Sequence, residues 1–459
     1  MRRKTAFLVF LGLLCGGTAS AQSPSQESGQ PESRKEKRIE AEKQEAAAEE
    51  AVSQPQTLSL QDAVGFAVEH NKSLKASRLN IELQQKMITE AISAGIPQIN
   101  ANLNYQTNFG QSVSMGETGL SIKMEDNFTL GASASWTVLN GEWIVGIQTA
   151  KIAKTLASQQ VDADALDIKS TIYNSYYTIL VCERLVQILQ ENLDNMSQIL
   201  EHTQNMYNAG SVEISDVDQI RITVGQLNNS LLSMERTLDV NYNLLRIQLG
   251  LKAGTPITLT DRLDDFLGEE GFANLALKDF DINNNLQYQL TLTQEELQKK
   301  AVSAKKWAYA PTLSAGYNYQ YQIVSGGFMT IPHTATVTLS VPIFSGLQRK
   351  SQLDQEKITL QQTQLNKSLL EDQLRLNEAQ YKYDLQNATE NFNLQKENVE
   401  VAKSVLGHYQ AKFNVGNISS LDLTQANNNY LEAENNYTSA CLDLLEAQTN
   451  LLKLYNELQ

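Results

Sequence analysis

The chain has 459 residues and a net charge of −15, and so acidic a balance excludes a nucleic-acid partner, whose phosphates need clustered Lys and Arg. An apolar fraction of 41% is ample for a packed core. No internal run of about 20 apolar residues exists, which excludes a polytopic helical membrane protein but leaves a membrane β-barrel open.

Met1-Arg2-Arg3-Lys4, an apolar stretch from Ala6 to Leu14 and Ala19-Ser20-Ala21 read in order as the three parts of a secretory signal peptide over residues 1–21. Cys15 follows Leu14, where a lipidation signal needs a small residue, so the expectation is simple cleavage after Ala21. Residues 22–56 are polar, rich in Glu and Lys, and too poor in apolar side chains to fold alone; they read as a disordered linker.

Next comes a duplicated unit. Tyr207-Asn208-Ala209-Gly210-Ser211-Val212 matches Phe413-Asn414-Val415-Gly416-Asn417-Ile418, and Asp216-Val217-Asp218-Gln219 matches Asp422-Leu423-Thr424-Gln425 at the same interval. Val138-Leu139-Asn140-Gly141 matches Ile343-Phe344-Ser345-Gly346, and Ala94-Gly95-Ile96-Pro97 matches Ala308-Tyr309-Ala310-Pro311. The order is the same in both halves, which makes one repeated architecture rather than several domains. The first repeat covers 57–253, with strands at about 97–108 and 127–139 and helices at about 142–209 and 213–250. An equatorial connector occupies 254–283. The second repeat covers 284–459, with strands at about 311–323 and 333–343 and helices at about 347–414 and 418–457.

In the strands polarity alternates with period two. Asn100, Asn102 and Asn104 oppose Ile99, Ala101, Leu103 and Tyr105, and Thr129 and Ser133 oppose Leu130, Ala132 and Ala134. Asn318 and Gln320 oppose Tyr317, Tyr319 and Tyr321, and Thr336 and Thr338 oppose Ala335, Val337 and Leu339. Such alternation fits membrane strands with a lipid face and a polar, lumen-lining face. Segments 109–126 and 324–332 read as extracellular loops. Four strands cannot close a barrel, so copies must share one. Two copies would give eight strands and three would give twelve.

The helical stretches carry apolar seams stepping three and four. One runs Ile179, Cys182, Val186, Leu189, Leu193, Met196, Leu200, Tyr207; its return runs Val217, Ile220, Val224, Leu227, Leu231 and on to Leu245. The second repeat has Leu385, Phe392, Leu406 and Phe413, then Leu423, Ala426, Tyr430 and on to Leu454. Each unit is a coiled-coil hairpin with Gly210 or Gly416 at its tip and Ser215 or Ser419 as the cap of the return helix. The outgoing helices span roughly 100 Å at 1.5 Å per residue. In the first repeat, the return helix followed end to end by a run from Leu286 to Lys306 nearly matches that length.

No catalytic or metal-binding pattern emerges. His70, His202, His333 and His408 are scattered, and Cys182 and Cys441 stand alone. Asp279-Phe280-Asp281-Ile282-Asn283 starts like a calcium loop but has Asn284 and Leu290 where Gly and Glu belong, and reads as a helix cap. The expectation is a chain with no enzymatic role and no cofactor.

The doubled order of helix, Pro, strand, loop, strand, Gly, long helix, Gly turn and helix resembles the TolC-type outer membrane efflux protein family. Leu58-Ser59-Leu60-Gln61-Asp62-Ala63, Pro97, Gly141 and Tyr207–Gln219 carry the resemblance in the first unit. Pro311, Val341-Pro342-Ile343-Phe344-Ser345-Gly346 and Phe413–Ala426 carry it in the second. The resemblance implies an α+β membrane protein: a homotrimer with one twelve-stranded barrel in the outer membrane and an α-helical barrel in the periplasm. It also implies a periplasmic adaptor and an inner-membrane transporter as partners, in efflux or type I secretion. The rival is a non-conducting periplasmic stalk or adhesin-like protein. At the helix tips the resemblance implies a narrowing, with Gly210, Asp216, Asp218, Phe413, Gly416, Asp422 and Gln425 as its residues. Gln425 stands where a second acid often sits, Phe413 lacks a hydroxyl, and Ile418 replaces a basic residue. Asp216 and Asp422 have two readings, an acidic ring at the entrance or favourable charges at a helix N-terminus.

Overall fold

The computed structural model describes residues 56–115, 120–123, 126–268, 275, 277–322 and 332–458. The expected signal peptide, the linker up to residue 55 and most of the 324–332 loop lie outside the described residues.

The first repeat opens on β1 (Gln56–Leu58), α1 (Leu60–His70) and α2 (Lys72–Ser93). Gln56, assigned to the linker from sequence, is a strand residue, because β1 pairs in parallel with β6 (Ile257–Leu259) in the connector. Next come β2 (Gln98–Gln106), a short hairpin of β3 (Ser112–Met115) and β4 (Leu120–Lys123), and β5 (Asn127–Leu139). The long helix α3 (Gly141–Asn208) and its return α4 (Ile214–Leu249) follow. The second repeat has α5 (Leu286–Trp307), β7 (Thr312–Gln322), β8 (His333–Ser340), α6 (Gln348–Asn414) and α7 (Ser420–Tyr455).

The repeat is close in dimension. The long helices have 68 and 67 residues, the return helices 36 each, and α2 and α5 22 each. At 1.5 Å per residue these are about 100, 54 and 33 Å. No described helix is long and apolar enough to cross a membrane.

Which short helices continue which is set by two asparagines. Asn71 caps α2 by accepting from the amides of Ser73 and Leu74, and its Nδ2 donates to the carbonyl of Gln248 at the end of α4, 2.7 Å away. Asn285 caps α5 through the Tyr288 amide and donates to the carbonyl of Leu454 at the end of α7, 3.0 Å away. One amide side chain thus serves the orphan donors of one helix and an orphan acceptor of another. The end-to-end neighbour of α4 is therefore α2, not the Leu286–Trp307 helix that follows it in sequence. That helix continues α7.

Two apolar cores hold the helices. The equatorial core joins Leu58, Ile172, Tyr176, Leu245, Leu249, Leu385, Phe392, Leu444, Leu445 and Leu451. The second, nearer the tips, joins Met196, Ile220, Leu227, Leu406, Phe413, Leu423 and Ala426. The seam positions named from the periodicity are buried or half-buried, with Tyr207, 40% exposed, a departure where α3 ends. Thr203, the polar residue between Leu200 and Tyr207 along that seam, is fully buried, and its hydroxyl is satisfied by donating back to the Ile199 carbonyl at 2.7 Å. Asp281 caps the short 3-10 turn 282–284 through the Asn283 amide, while the cap of α5 itself is Asn285.

Between α5 and α6 sits a buried charge. Glu295 accepts from Lys299, Lys367 and Gln364, and these bonds hold its carboxyl down at about 2 against an ordinary 4.5. A carboxyl depressed by folding contributes stability above its unfolded pKa and loses it as pH falls toward the folded one. Thermal melts should therefore show wild type losing stability between pH of about 4.5 and about 2 more steeply than Glu295→Gln. Equal slopes in the two proteins would show that the cluster contributes nothing.

Candidate functional site

The four long strands form one antiparallel sheet in the order β2-β5-β7-β8. Residues directly opposite in such a ladder share a face. One row reads Asn100–Ser133–Asn318–Thr334, another Asn104–Thr129, and another Ser135–Gly316–Thr336. Asn102, Gly131 and Gln320 form a row, and Thr137, Ser314 and Thr338 another. All nine strand residues assigned to a lumen from sequence thus share one face. The Asn102 side chain lies across Gly131, with its Oδ1 2.4 Å from where a Cβ would stand, so a larger residue there would have to displace it.

The opposite face is apolar and aromatic. Its rows read Ile99–Ala134–Tyr317–Ala335, Leu103–Leu130–Tyr321 and Trp136–Ala315–Val337. Trp136 is 44% exposed, and its indole N–H donates to the Gly95 carbonyl at 2.9 Å, the placement of an interfacial aromatic. His333 lies on this face at the start of β8, with its Nδ1 2.6 Å from the Tyr317 hydroxyl. On the polar face no described residue of the four strands is ionisable.

The hairpin tips are built differently in the two repeats. Gly210 and Gly416 adopt φ of +80° and +75°, the left-handed turn each hairpin needs. Ser211 N–H to the Met206 carbonyl and Asn417 N–H to the Lys412 carbonyl complete the two turns. In the second repeat Ser419 caps α7 and Asp422 closes the box: Ser419 Oγ accepts from the Asp422 amide at 3.1 Å, and Asp422 Oδ2 accepts from the Ser419 amide at 3.2 Å. In the first repeat Glu213, not the expected Ser215, stands at the cap, and Ser215 lies inside α4.

Asp216, like Asp422, whose two bonds from Ser419 both end on Oδ2, uses only its Oδ2 in the cap. Its Oδ2 accepts weakly from the Glu213 amide at 3.4 Å, while its Oδ1 accepts from the hydroxyl of Ser420 at 2.6 Å. Asp216 thus ties the first hairpin to the second. Ser420 is 4% exposed and was invisible to pattern reading, because its counterpart in the first repeat is Ile214. Among the other tip residues, Asp218 pairs with Arg221 on the surface at 2.6 Å and Gln425 donates to Asn429 at 2.8 Å. Phe413 is buried in the tip core with Ile418 packed against it.

A continuous two-faced sheet of four strands, joined to paired 100 Å helical hairpins by an internal repeat, is now in place. The sequence profile of the outer membrane efflux proteins matches residues 64–251 and 283–457. The chain belongs to that family. The solved structure of CusC superimposes with a TM-score of 0.69 at 16% identity, covering 87% of this chain and 91% of that one. VceC of Vibrio cholerae gives 0.66 at 15% identity, covering 86% of this chain and 95% of that one. The open state of the MtrE outer membrane channel of Neisseria gonorrhoeae gives 0.67 at 17%, covering 87% and 89%. This outer membrane efflux protein therefore has the TolC-type fold, with its strands in the outer membrane and its helices in the periplasm. Its task is that of an outer membrane channel in efflux, and its family is one of channels rather than enzymes.

Proposed function

We propose that the chain works as a homotrimer, a passive conduit that receives cargo from a periplasmic adaptor and an inner-membrane transporter and performs no catalysis. The observation that carries this reading is the sheet itself. One chain supplies four strands with a polar and an apolar face and, at either end of the strand order, an edge that lipid cannot satisfy. Three copies give twelve strands, enough to enclose water behind the face that carries Asn100, Ser133 and Asn318. The two repeats, 57–253 and 284–459, act as one unit around the connector 254–283. Detergent-extracted protein should run as a trimer and conduct ions in a planar bilayer. A monomeric, non-conducting particle would point to a stalk instead, as would failure of Ser114→Cys to react with an impermeant label on intact cells.

At the periplasmic end the proposed narrowing is held by Asp216 and Ser420, with Asp422 committed to its capping box. A hydrogen bond to a charged group contributes about 1.5–3 kcal/mol, so Ser420→Ala should shift the tip toward open states by roughly 10- to 150-fold. The check is single-channel recording, where Ser420→Ala and Asp216→Ala should raise the open fraction alike and the double variant should add little. Additive effects would show that the two side chains act separately.

A further inference from the structure

The internal repeat can be used as a ruler for the edges of the sheet. Pro97 corresponds to Pro311 and Gly141 to Gly346. Carried by the first correspondence, β2 falls on β7; carried by the second, β5 falls on β8. Observed pairs of the first hairpin then become observed pairs of the second. Gln98–Ser135 becomes Thr312–Ser340, Asn100–Ser133 becomes Ser314–Thr338, and Tyr105–Phe128 becomes Tyr319–His333. The repeat preserves strand register to the residue.

The seam between the repeats, β5 against β7, has no second occurrence within one chain. The same correspondence turns it into β8 of one copy against β2 of another. Ser133–Asn318 becomes Thr338–Asn104, Ser135–Gly316 becomes Ser340–Asn102, Ala134–Tyr317 becomes Leu339–Leu103, and Ala132–Tyr319 becomes Val337–Tyr105. Polar meets polar and apolar meets apolar in these four pairs. A slip of one residue would set Thr338 against Leu103 or Tyr105 and break both faces.

The same ruler accounts for the exposed segment after β8. The β5–β7 ladder continues through a register shift at Thr137/Leu139 to pair Leu139 with Leu313. Its image pairs Phe344 with Ile99 of the other copy. In one chain β8 stops at Ser340, with Ile343 94% and Phe344 86% exposed.

We propose that β8 of one copy pairs antiparallel with β2 of the next in the register that sets Thr338 opposite Asn104, and that Val341–Phe344 extend β8 along this seam. The inference rests on the homotrimer reading and adds its register. Directly opposite residues bring Cβ atoms about 4.5–5.5 Å apart, against about 7–8 Å for diagonal neighbours, and a disulfide forms only across the shorter gap.

The test is oxidative cross-linking of the full-length protein in isolated outer membranes, read on non-reducing gels. The Thr338→Cys/Asn104→Cys variant should give covalently linked dimers and trimers. Thr338→Cys/Asn102→Cys and Thr338→Cys/Gln106→Cys should give at least tenfold less. The equivalent in-chain pair, Ser133→Cys/Asn318→Cys, should close without linking chains and shows that oxidant reaches the seam. Thr338→Cys alone controls for Cys182 and Cys441, both buried. Particles that are trimers by size but link through residue 102 or 106, or not at all, would overturn the register while leaving the trimer intact. Monomers by size would overturn both.

Discussion

Tyr176→Ala is expected to cost about 3–5 kcal/mol, the largest single loss in the helical region, because it removes a fully buried aromatic from the place where three segments meet. The ring packs edge-on against Phe266 of the connector, and the hydroxyl lies 3.0 Å from Asp261 Oδ2 and 3.1 Å from the Leu58 carbonyl. Asp261 Oδ2 also accepts from the Leu60 amide at 2.7 Å, at the start of α1. Helix α3, the connector and the β1–α1 corner are thus joined through one side chain. Burial and the hydrogen bond to Asp261 both raise the phenol's pKa, so the hydroxyl keeps its proton through the physiological range. Tyr176→Phe keeps the ring and should cost only about 1–3 kcal/mol. Thermal melts of the helical circular-dichroism signal in detergent order the three proteins. Equal midpoints for wild type and Tyr176→Ala would show that the connector is not anchored there.

What could be read in the sequence, and what could not, follows from the range of each interaction. Period two along a strand and steps of three and four along a helix are local, so the faces of β2, β5, β7 and β8 and the seam through Met196, Leu227, Phe392 and Leu444 were legible. The repeat located both tips, because a left-handed Gly at a hairpin end leaves the same signature twice. Contacts that break the repeat left no such trace. Ser420 meets Asp216 through Oδ1, the carboxylate oxygen that the cap of α4 does not use, and the matching position in the first repeat is Ile214. Neither half alone signals that bond. The joints made by Asn71 and Asn285 were missed for another reason: chain order suggested that α5 follows α4, whereas each asparagine reaches the end of a helix far along the chain. The extent of β8 was overstated at 333–343 because residues 341–343 find no strand partner within one chain.

Arginine at Leu130 is expected to abolish assembly in the outer membrane, whereas arginine three residues on, at Ser133, is expected to assemble and change the pore. Both positions lie on β5, which has a strand on either side, so edge effects do not distinguish them. Leu130 sits in the Leu103–Leu130–Tyr321 row of the apolar face, and a guanidinium near the bilayer midplane costs about 2–4 kcal/mol there, incurred once per chain in the ring. Ser133 sits in the Asn100–Ser133–Asn318–Thr334 row, on a face with no ionisable side chain among the described residues of these strands. A cation from each copy on that neutral wall attracts anions and repels cations across a distance comparable to the Debye length of about 10 Å at 0.1 M salt. Leu130→Arg should leave no folded protein in outer-membrane fractions. Ser133→Arg should give normal amounts, with a reversal potential under a salt gradient shifted toward anion preference, and the shift should shrink at 1 M salt. Equal tolerance of both substitutions would mean that neither face meets lipid. Assembly of Ser133→Arg with an unchanged reversal potential would mean that the polar face does not line the path of the ions.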